Sequence, residues 1–253
     1  MPRAVRYERL PTEQLNPRSR ALDRLSTTQL LRLMNREDAG VPRAVGHVIP
    51  QISRAASLIV TRLRAGGRLI FLGAGTSGRL GVIEAAECPP TFNTPPSMVQ
   101  AVIAGGRSAV FRSREGAEDD HRSARRALRR RLRRGDVVVG ISASGVTPFV
   151  ETGLRESRRL GCSTVLVTCH PGSRLRRAAD VVIAPRTGPE VIAGSTRLKA
   201  GTAAKLILNM LTVATMVRLG NVHGNLMSQV RPTSRKLRAR AARIRRLLRS
   251  APA

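Results

Sequence analysis

Residues 68–90 read RLIFLGAGTSGRLGVIEAAECPP, and this stretch decides the fold. Residues 68–73 form a short apolar run, which is typical of a buried parallel strand. Residues 73–78 supply three glycines, and a helical pattern then continues through Glu87 and ends at Pro89-Pro90. A strand that leads through such a turn into a helix presents free backbone N–H groups and the positive end of a helix dipole. The stretch therefore predicts an anion site, most often for phosphate.

Hydroxyl groups distinguish this turn from a dinucleotide-binding fingerprint. Thr76 and Ser77 add donors of the kind that a sugar or phosphate ligand uses. A second turn, at 142–147, reads SASGVT and again lies between a predicted strand and a predicted helix. Taken alone, an ordinary helix cap rich in serine and threonine explains the second turn equally well. Its position after a strand favours a ligand, and we expect both turns to face one pocket at the carboxyl ends of the strands.

Strands alternate with helices along the middle of the chain. Apolar runs at 98–104, 136–141, 163–169 and 181–184 predict four more strands. We therefore expect an α/β fold with a five-stranded parallel sheet, helices on both faces and helical extensions at both ends. The proposed division is an N-terminal arm and helix packing on the core at 1–45, a ligand-binding α/β domain at 46–220 and a C-terminal helical segment at 221–253.

The net charge of +29 raises the alternative of a nucleic-acid-binding protein. The excess is almost all arginine, spread over predicted helix surfaces such as 121–134, and aromatic residues make up only 2% of the chain. Too few aromatic side chains are present for base stacking. We therefore interpret the charge as a solvated surface and expect no specific nucleic-acid partner.

Other features indicate a cytoplasmic protein that does not enter a membrane. The N-terminus has no apolar segment of the secretory type. The most apolar helix, at 206–217, is interrupted by Asn209 and is interpreted as a core helix too short to span a bilayer. Three cysteines without metal spacing suit a reducing compartment, and four scattered histidines predict no metal site.

Acidic residues are few but clustered. Four of the 16 fall in EGAEDD, at 115–120. Capping of the following arginine-rich helix accounts for Asp119 and Asp120, but not for Glu118 together with Glu87 and a phosphate turn. Two carboxylates that flank a bound sugar can divide general-base and general-acid work.

The chain resembles a known family over residues 10 to about 245. The resemblance rests on GAGTSGRLGVIEAAECPPTF (73–92), IAGG with EGAEDD (103–120), ASGVTPFV (143–150) and GPEVIAGSTRLKAGTAAKLILNML (188–211). These segments are similar to N-acetylmuramic acid 6-phosphate etherases, which carry a sugar isomerase (SIS) domain. Glucokinase regulatory protein shares the architecture and binds phosphosugars without converting them, so it defines a non-catalytic alternative. A ketose–aldose phosphosugar isomerase remains an alternative on the fold alone.

The resemblance implies a reaction and two catalytic residues. The family splits the D-lactyl ether of N-acetylmuramic acid 6-phosphate into N-acetylglucosamine 6-phosphate and D-lactate, by elimination and then hydration, without a cofactor. Carried over by motif position, Glu87 is the acid and Glu118 the base. Glu84, one helical turn from Glu87, is expected to be structural.

The resemblance also implies the ligand-binding residues and the assembly. Ser142, Ser144 and Thr147 are the expected phosphate ligands, with Thr76 and Ser77 near the sugar. Further candidates for the anionic groups of the substrate are Ser195, Thr196, Arg197 and Lys199. The family forms homodimers with the site near the interface, and helix 198–219 is expected to contribute. This chain departs from the family at Val146, where an arginine is usual, and in a shorter C-terminal region.

Overall fold

A five-stranded parallel sheet forms the centre of the computed structural model, which describes residues 6–227 and 235–250. The strands are β1 (Leu69–Gly73), β2 (Val99–Ile103), β3 (Val137–Ile141), β4 (Ser163–Val167) and β5 (Val181–Ile183). Their order across the sheet is β2-β1-β3-β4-β5. Leu69 pairs with Val99 on one side and with Val137 on the other. The predicted sheet, its strands and their parallel direction are confirmed.

Helices cover both faces of the sheet. They are α1 (Thr27–Asp38), α2 (Val41–Gly46), α3 (Ile49–Arg64), α4 (Gly75–Phe92), α5 (Ser108–Phe111), α6 (His121–Arg129), α7 (Pro148–Arg159), α8 (Lys199–Arg218) and α9 (Arg235–Ser250). Phe71 points to the core that α2, α3 and α8 cover, whereas Ile70 and Leu72 point to the core under α6 and α7. Because β1 is buried on both faces, its sequence is continuously apolar rather than alternating.

Helix α4 runs further than the sequence predicts. The proline pair was expected to end the helix, but Pro89 and Pro90 lie inside its last turn and α4 continues to Phe92. Cys88 and Phe92 are buried in the core, and this packing holds the turn in place. Asn93, in the left-handed conformation at φ 57°, ends the helix, and its N–H donates to the carbonyl of Pro89. A proline inside a helix removes a backbone donor and crowds the carbonyl four residues earlier, and burial of the neighbouring side chains offsets that cost.

The predicted helix at 121–134 is shorter in the structure, where α6 ends at Arg129. Asp136 explains the difference. Its carboxylate accepts hydrogen bonds from the backbone N–H of Arg133 and from the backbone and guanidinium of Arg68. With Arg133 and Asp136 held by these bonds, the chain leaves the helix before Arg133 and continues into β3.

The N-terminal region belongs to the same core. Ser26 and Gln29 form a capping box at the start of α1. The proposed boundary at residue 45 falls within α2. Val41 and Val45 of α2 are buried in the core that includes β1.

Helix α8 is 20 residues long, which exceeds the apolar run seen in the sequence. Among the described residues, it is the one helix whose length and composition would allow it to cross a membrane. Of its apolar 18-residue stretch, 56% is buried inside the protein. The interpretation as too short is therefore wrong, while the burial agrees with a core helix. Of the C-terminal helical segment predicted at 221–253, residues 228–234 and 251–253 lie outside the described residues.

Candidate active site

The two hydroxyl-rich turns meet at one cavity. They follow β1 and β3, which are neighbours in the sheet although not in sequence, and they lead into α4 and α7. A parallel sheet opens a crevice at such a point, beyond the carboxyl ends of its strands. Thr76 and Ser77 line this cavity together with Ser144 and Thr147. The sequence-based expectation of a shared pocket is confirmed for these four residues.

Two glycines let the first turn close tightly. A Cβ on Gly78 would lie 2.7 Å from the carbonyl oxygen of Gly73, and one on Gly73 would lie 2.7 Å from the nitrogen of Gly78. Neither contact is possible for a residue with a side chain. The first turn of α4 therefore starts directly above β1, with Thr76 and Ser77 at the positive end of its dipole.

The second turn is closed from within by Ser142. Its hydroxyl lies 2.8 Å from that of Thr147 and accepts a hydrogen bond of 3.1 Å from the N–H of Gly145. Ser142 is only 2% exposed and does not line the cavity, whereas Ser144 and Thr147 do. The contacts of Ser142 thus shape the turn, and its predicted role as a direct phosphate ligand remains a prediction.

Residues beyond the end of β4 hold the second turn from outside, and no sequence motif marks them. Three successive carbonyls of the turn, those of Ala143, Ser144 and Gly145, each face a side-chain partner. The partners are Thr168 Oγ1 at 3.3 Å, His170 Nδ1 at 3.1 Å and Ser173 Oγ at 2.5 Å, respectively. These contacts hold the three carbonyls from outside, while the N–H of Gly145 donates to Ser142 from within, so the backbone of the turn is held on both sides.

The acidic segment after β2 forms another wall of the cavity. Glu115 and Glu118 both line it. Desolvation raises the pKa of the Glu118 carboxyl above its ordinary value, and the nearby charges of Asp119 and Glu115 raise it further. A carboxylate with a raised pKa is a stronger base. Glu118 lies in the same cavity as the two hydroxyl-rich turns.

The segment before α8 is divided between the cavity and the interior. Thr196 lines the cavity, but Ser195, Arg197 and Lys199 do not. The Nζ of Lys199 donates to Glu37 Oε2 at 2.7 Å, and both side chains are less than a tenth exposed. Lys199 is therefore engaged in an interior ion pair with α1.

Glu87 lies outside the cavity in the single chain. It is exposed on α4, ten residues beyond Ser77, which is about 15 Å along a helix axis. Glu84 is buried, and it accepts hydrogen bonds from Lys205 at 3.0 Å and from Thr212 at 2.7 Å. The structural role expected for Glu84 agrees with these contacts, while Glu87 is left facing solvent.

The cavity wall contains two arginines that no sequence motif marks. Arg79 comes from α4 and Arg114 from the segment after α5. In the sequence, Arg79 is marked only by its position two residues after Thr76-Ser77, and Arg114 only by its position one residue before the acidic cluster.

Within residues 6–227 and 235–250, no group of three or more histidine, cysteine or acidic side chains is arranged to hold a metal ion.

Family models match the part of the chain that builds this site. Residues 51–157 match the N-terminal SIS domain of glucokinase regulatory protein, and residues 120–214 match the SIS domain. A phosphoheptose isomerase from Francisella tularensis superposes with a TM-score of 0.62 at 16% identity, covering 76% of this chain and all of that one. The Vibrio vulnificus NanR protein complexed with ManNAc-6P superposes with a TM-score of 0.56 at 14% identity, covering 92% of this chain and 74% of that one. These structures share the fold.

Closer relatives share the sequence over nearly its full length. An N-acetylmuramic acid 6-phosphate etherase of Symbiobacterium thermophilum is 55% identical over 95% of this chain and 80% of its own. One from Rubrobacter xylanophilus is 51% identical over 98% of this chain and 82% of its own. At this identity and coverage, the chain belongs to the N-acetylmuramic acid 6-phosphate etherase family.

Proposed function

We propose that this protein cleaves the D-lactyl ether of N-acetylmuramic acid 6-phosphate to give N-acetylglucosamine 6-phosphate and D-lactate. The observation that carries the proposal is a single cavity. It is lined by the hydroxyl-rich turns at the N-termini of α4 and α7 and by the carboxylate of Glu118. Binding a phosphosugar requires only the turns. Removing a proton from the sugar requires the base as well.

The phosphate binds at the turn after β3, where Ser144 and Thr147 supply hydroxyls and the N-terminus of α7 supplies a positive dipole. Thr76, Ser77 and Thr196 contact the sugar. This anchorage leaves C2 of the open-chain aldehyde near Glu118. The carbonyl at C1 acidifies the C2 proton, so a carboxylate with a raised pKa is a suitable base.

The reaction proceeds in two halves. Glu118 takes the proton from C2, the C3–O bond breaks, and the acid Glu87 gives its proton to the ether oxygen, which leaves as D-lactate. The product of this half is an aldehyde with a double bond between C2 and C3. Water then adds to C3 as the Glu87 carboxylate takes its proton, and Glu118 returns a proton to C2. No cofactor takes part, and one water molecule is consumed.

A second copy of the chain supplies Glu87 in this proposal. The cavity of one chain contains Glu118 without Glu87, which is exposed on α4. On the same side of the sheet, apolar side chains are left uncovered: Ile83 on α4 is 43% exposed, and Val213 and Val217 on α8 are 48% and 45% exposed. Pairing these helices in a two-fold dimer would cover the apolar side chains and bring each Glu87 toward the partner's cavity.

Lactate release tests the function. Incubation with N-acetylmuramic acid 6-phosphate should yield one lactate per sugar, and Glu118→Gln should abolish it while phosphosugar binding persists. Binding by the unaltered protein without any lactate would instead establish the non-catalytic regulator of the same fold.

Mixing two inactive variants tests the shared site. Glu87→Gln and Glu118→Gln are each expected to be inactive. If a site takes one residue from each chain, mixed dimers contain one intact site of two, and random exchange recovers about a quarter of the full activity. No recovery, with dimer exchange verified by mass, would place both glutamates in the same chain.

Free, buried thiols at Cys88, Cys162 and Cys169 suit a cytoplasmic setting, and burial raises the pKa of the Cys88 thiol to about 12. We place the reaction in the recycling of cell-wall amino sugars in the cytoplasm.

A further inference from the structure

Arg79 and Arg114 bring two positive charges into the cavity wall, and the mechanism above does not use them. Arg197 and Lys199, the cations predicted from the sequence to bind the substrate's anionic groups, do not line the cavity. Lys199 is engaged with Glu37. The substrate carries an anion besides its phosphate, namely the lactyl carboxylate, and this anion needs a partner.

Both arginines are anchored through one nitrogen and have others left over. Arg79 Nε donates to the carbonyl of Val110 at 2.8 Å, and Arg114 Nη1 donates to that of Gly105 at 3.2 Å. A guanidinium has five N–H donors, so each side chain retains donors for an incoming group. Within the described residues, no ion pair joins either arginine to Glu115 or Glu118.

The order of the strands places these arginines away from the phosphate. β1 lies between β2 and β3, so the segment after β2 and the turn after β3 are on opposite sides of the β1 turn. Adjacent strands are about 4.8 Å apart, so β2 and β3 are about 10 Å apart, comparable to the length of a hexose phosphate. Arg114 belongs to the β2 side, and Arg79 is bonded to Val110 on that side. A sugar held by its phosphate at β3 therefore presents C2 and C3 to the β2 side, where Glu118 lies.

We propose that Arg79 and Arg114 bind the carboxylate of the lactyl group and thereby select phosphosugars that carry an acidic ether at C3. This inference rests on the proposed function, because it takes the substrate from it. Arginine suits the task, since its planar fork matches a carboxylate in a two-point contact. In the elimination, the same contact holds the leaving group in a fixed direction while the C3–O bond breaks.

Paired ligands test the proposal without turnover. In a Glu118→Gln background, calorimetry measures the affinity for N-acetylmuramic acid 6-phosphate and for N-acetylglucosamine 6-phosphate, which shares the phosphate and lacks the lactyl group. Arg79→Gln and Arg114→Gln should each weaken binding of the lactyl sugar about tenfold or more, as expected for loss of a charged hydrogen bond, and leave the other affinity within about twofold. Arg112→Gln is the matched control, because Arg112 is exposed in the same segment and does not line the cavity.

Equal weakening of both ligands would overturn the proposal, since it would indicate phosphate binding or loss of structure. Unchanged affinity for both would overturn it too. If only one of the two arginine variants lost affinity for the lactyl sugar selectively, the other arginine would not belong to the site that binds the lactyl carboxylate. Arg79→Lys keeps the positive charge but lacks the two-point geometry of the guanidinium. Its affinity for the lactyl sugar should therefore lie between that of the unaltered protein and that of Arg79→Gln. The readout is binding, so it stays informative if lactate release is absent.

Discussion

The hydroxyls of Ser142 and Thr147 lie 2.8 Å apart across the turn that follows β3. This contact closes the turn from within, while Ser173 bonds the carbonyl of Gly145 from outside. Gly145 has a φ of +70°, which favours glycine. The turn is thus fixed before any ligand arrives, and a preorganised turn loses little entropy on binding phosphate.

Gly145→Ala should disrupt this turn. Its Cβ would lie 2.6 Å from the Cβ of Ser173, in addition to the cost of a left-handed alanine, about 1–2 kcal/mol. We expect phosphosugar affinity to fall about tenfold or more, measured by calorimetry. Gly66→Ala is the control, since Gly66 has a φ of +84° and a Cβ there meets nothing within 4 Å. Equal affinity in the two variants would show that the turn does not determine binding.

Glu84 and Glu87, one helical turn apart, should separate stability from chemistry. Glu84→Ala leaves Thr212 and Lys205 without their carboxylate partner and should lower the free energy of unfolding by about 1–3 kcal/mol. Glu87→Gln alters an exposed side chain and should leave the melting temperature unchanged while abolishing lactate release. Thermal unfolding and the lactate assay on the same samples distinguish the two. A destabilised Glu87→Gln variant, or an inactive but well-folded Glu84→Ala variant, would contradict the assignment.

The acidic limb of the pH–rate profile should depend on Glu115. Glu118 must be ionised to act as a base, so its raised pKa moves the loss of activity to a higher pH than an ordinary glutamate would give. Glu115→Gln removes one of the like charges that raise this pKa, so the limb of kcat/KM should shift to lower pH. Desolvation, the largest cause, remains. Glu8→Gln, at an exposed position far along the chain, should cause no shift.

Lys199→Met tests whether this lysine is a substrate ligand or an interior support. It leaves Glu37 buried without its main cation and should cost about 3 kcal/mol of stability, since Asn16 and Arg18 still bond that carboxylate. Adding Glu37→Gln should recover part of the loss, because no unpaired charge is then buried. Thr196→Ala should do the reverse, weakening substrate binding with little change in unfolding free energy. A folded Lys199→Met variant with weakened binding would restore Lys199 as a ligand.

The order of the residues determined much of this protein. The apolar runs specified five strands, and the three central ones, β1, β3 and β4, are buried throughout, because a strand buried on both faces must be apolar throughout. Glycine and hydroxyl residues after two of those runs specified the ligand-binding edge, since the carboxyl ends of parallel strands share one edge. The family motifs indicated Glu118 and the substrate class.

Tertiary structure decided which of the candidate residues meet. Ser144, Thr147 and Glu118 line one cavity, while Lys199 is buried against Glu37 and Glu87 faces outward. A motif shows which residues are close in sequence. It does not show the direction in which each side chain leaves the helix or the distant carboxylate with which it forms an ion pair. For the same reason Arg79 and Arg114, 35 positions apart in the chain, became visible as neighbours of one cavity only after the sheet had placed β2 beside β1.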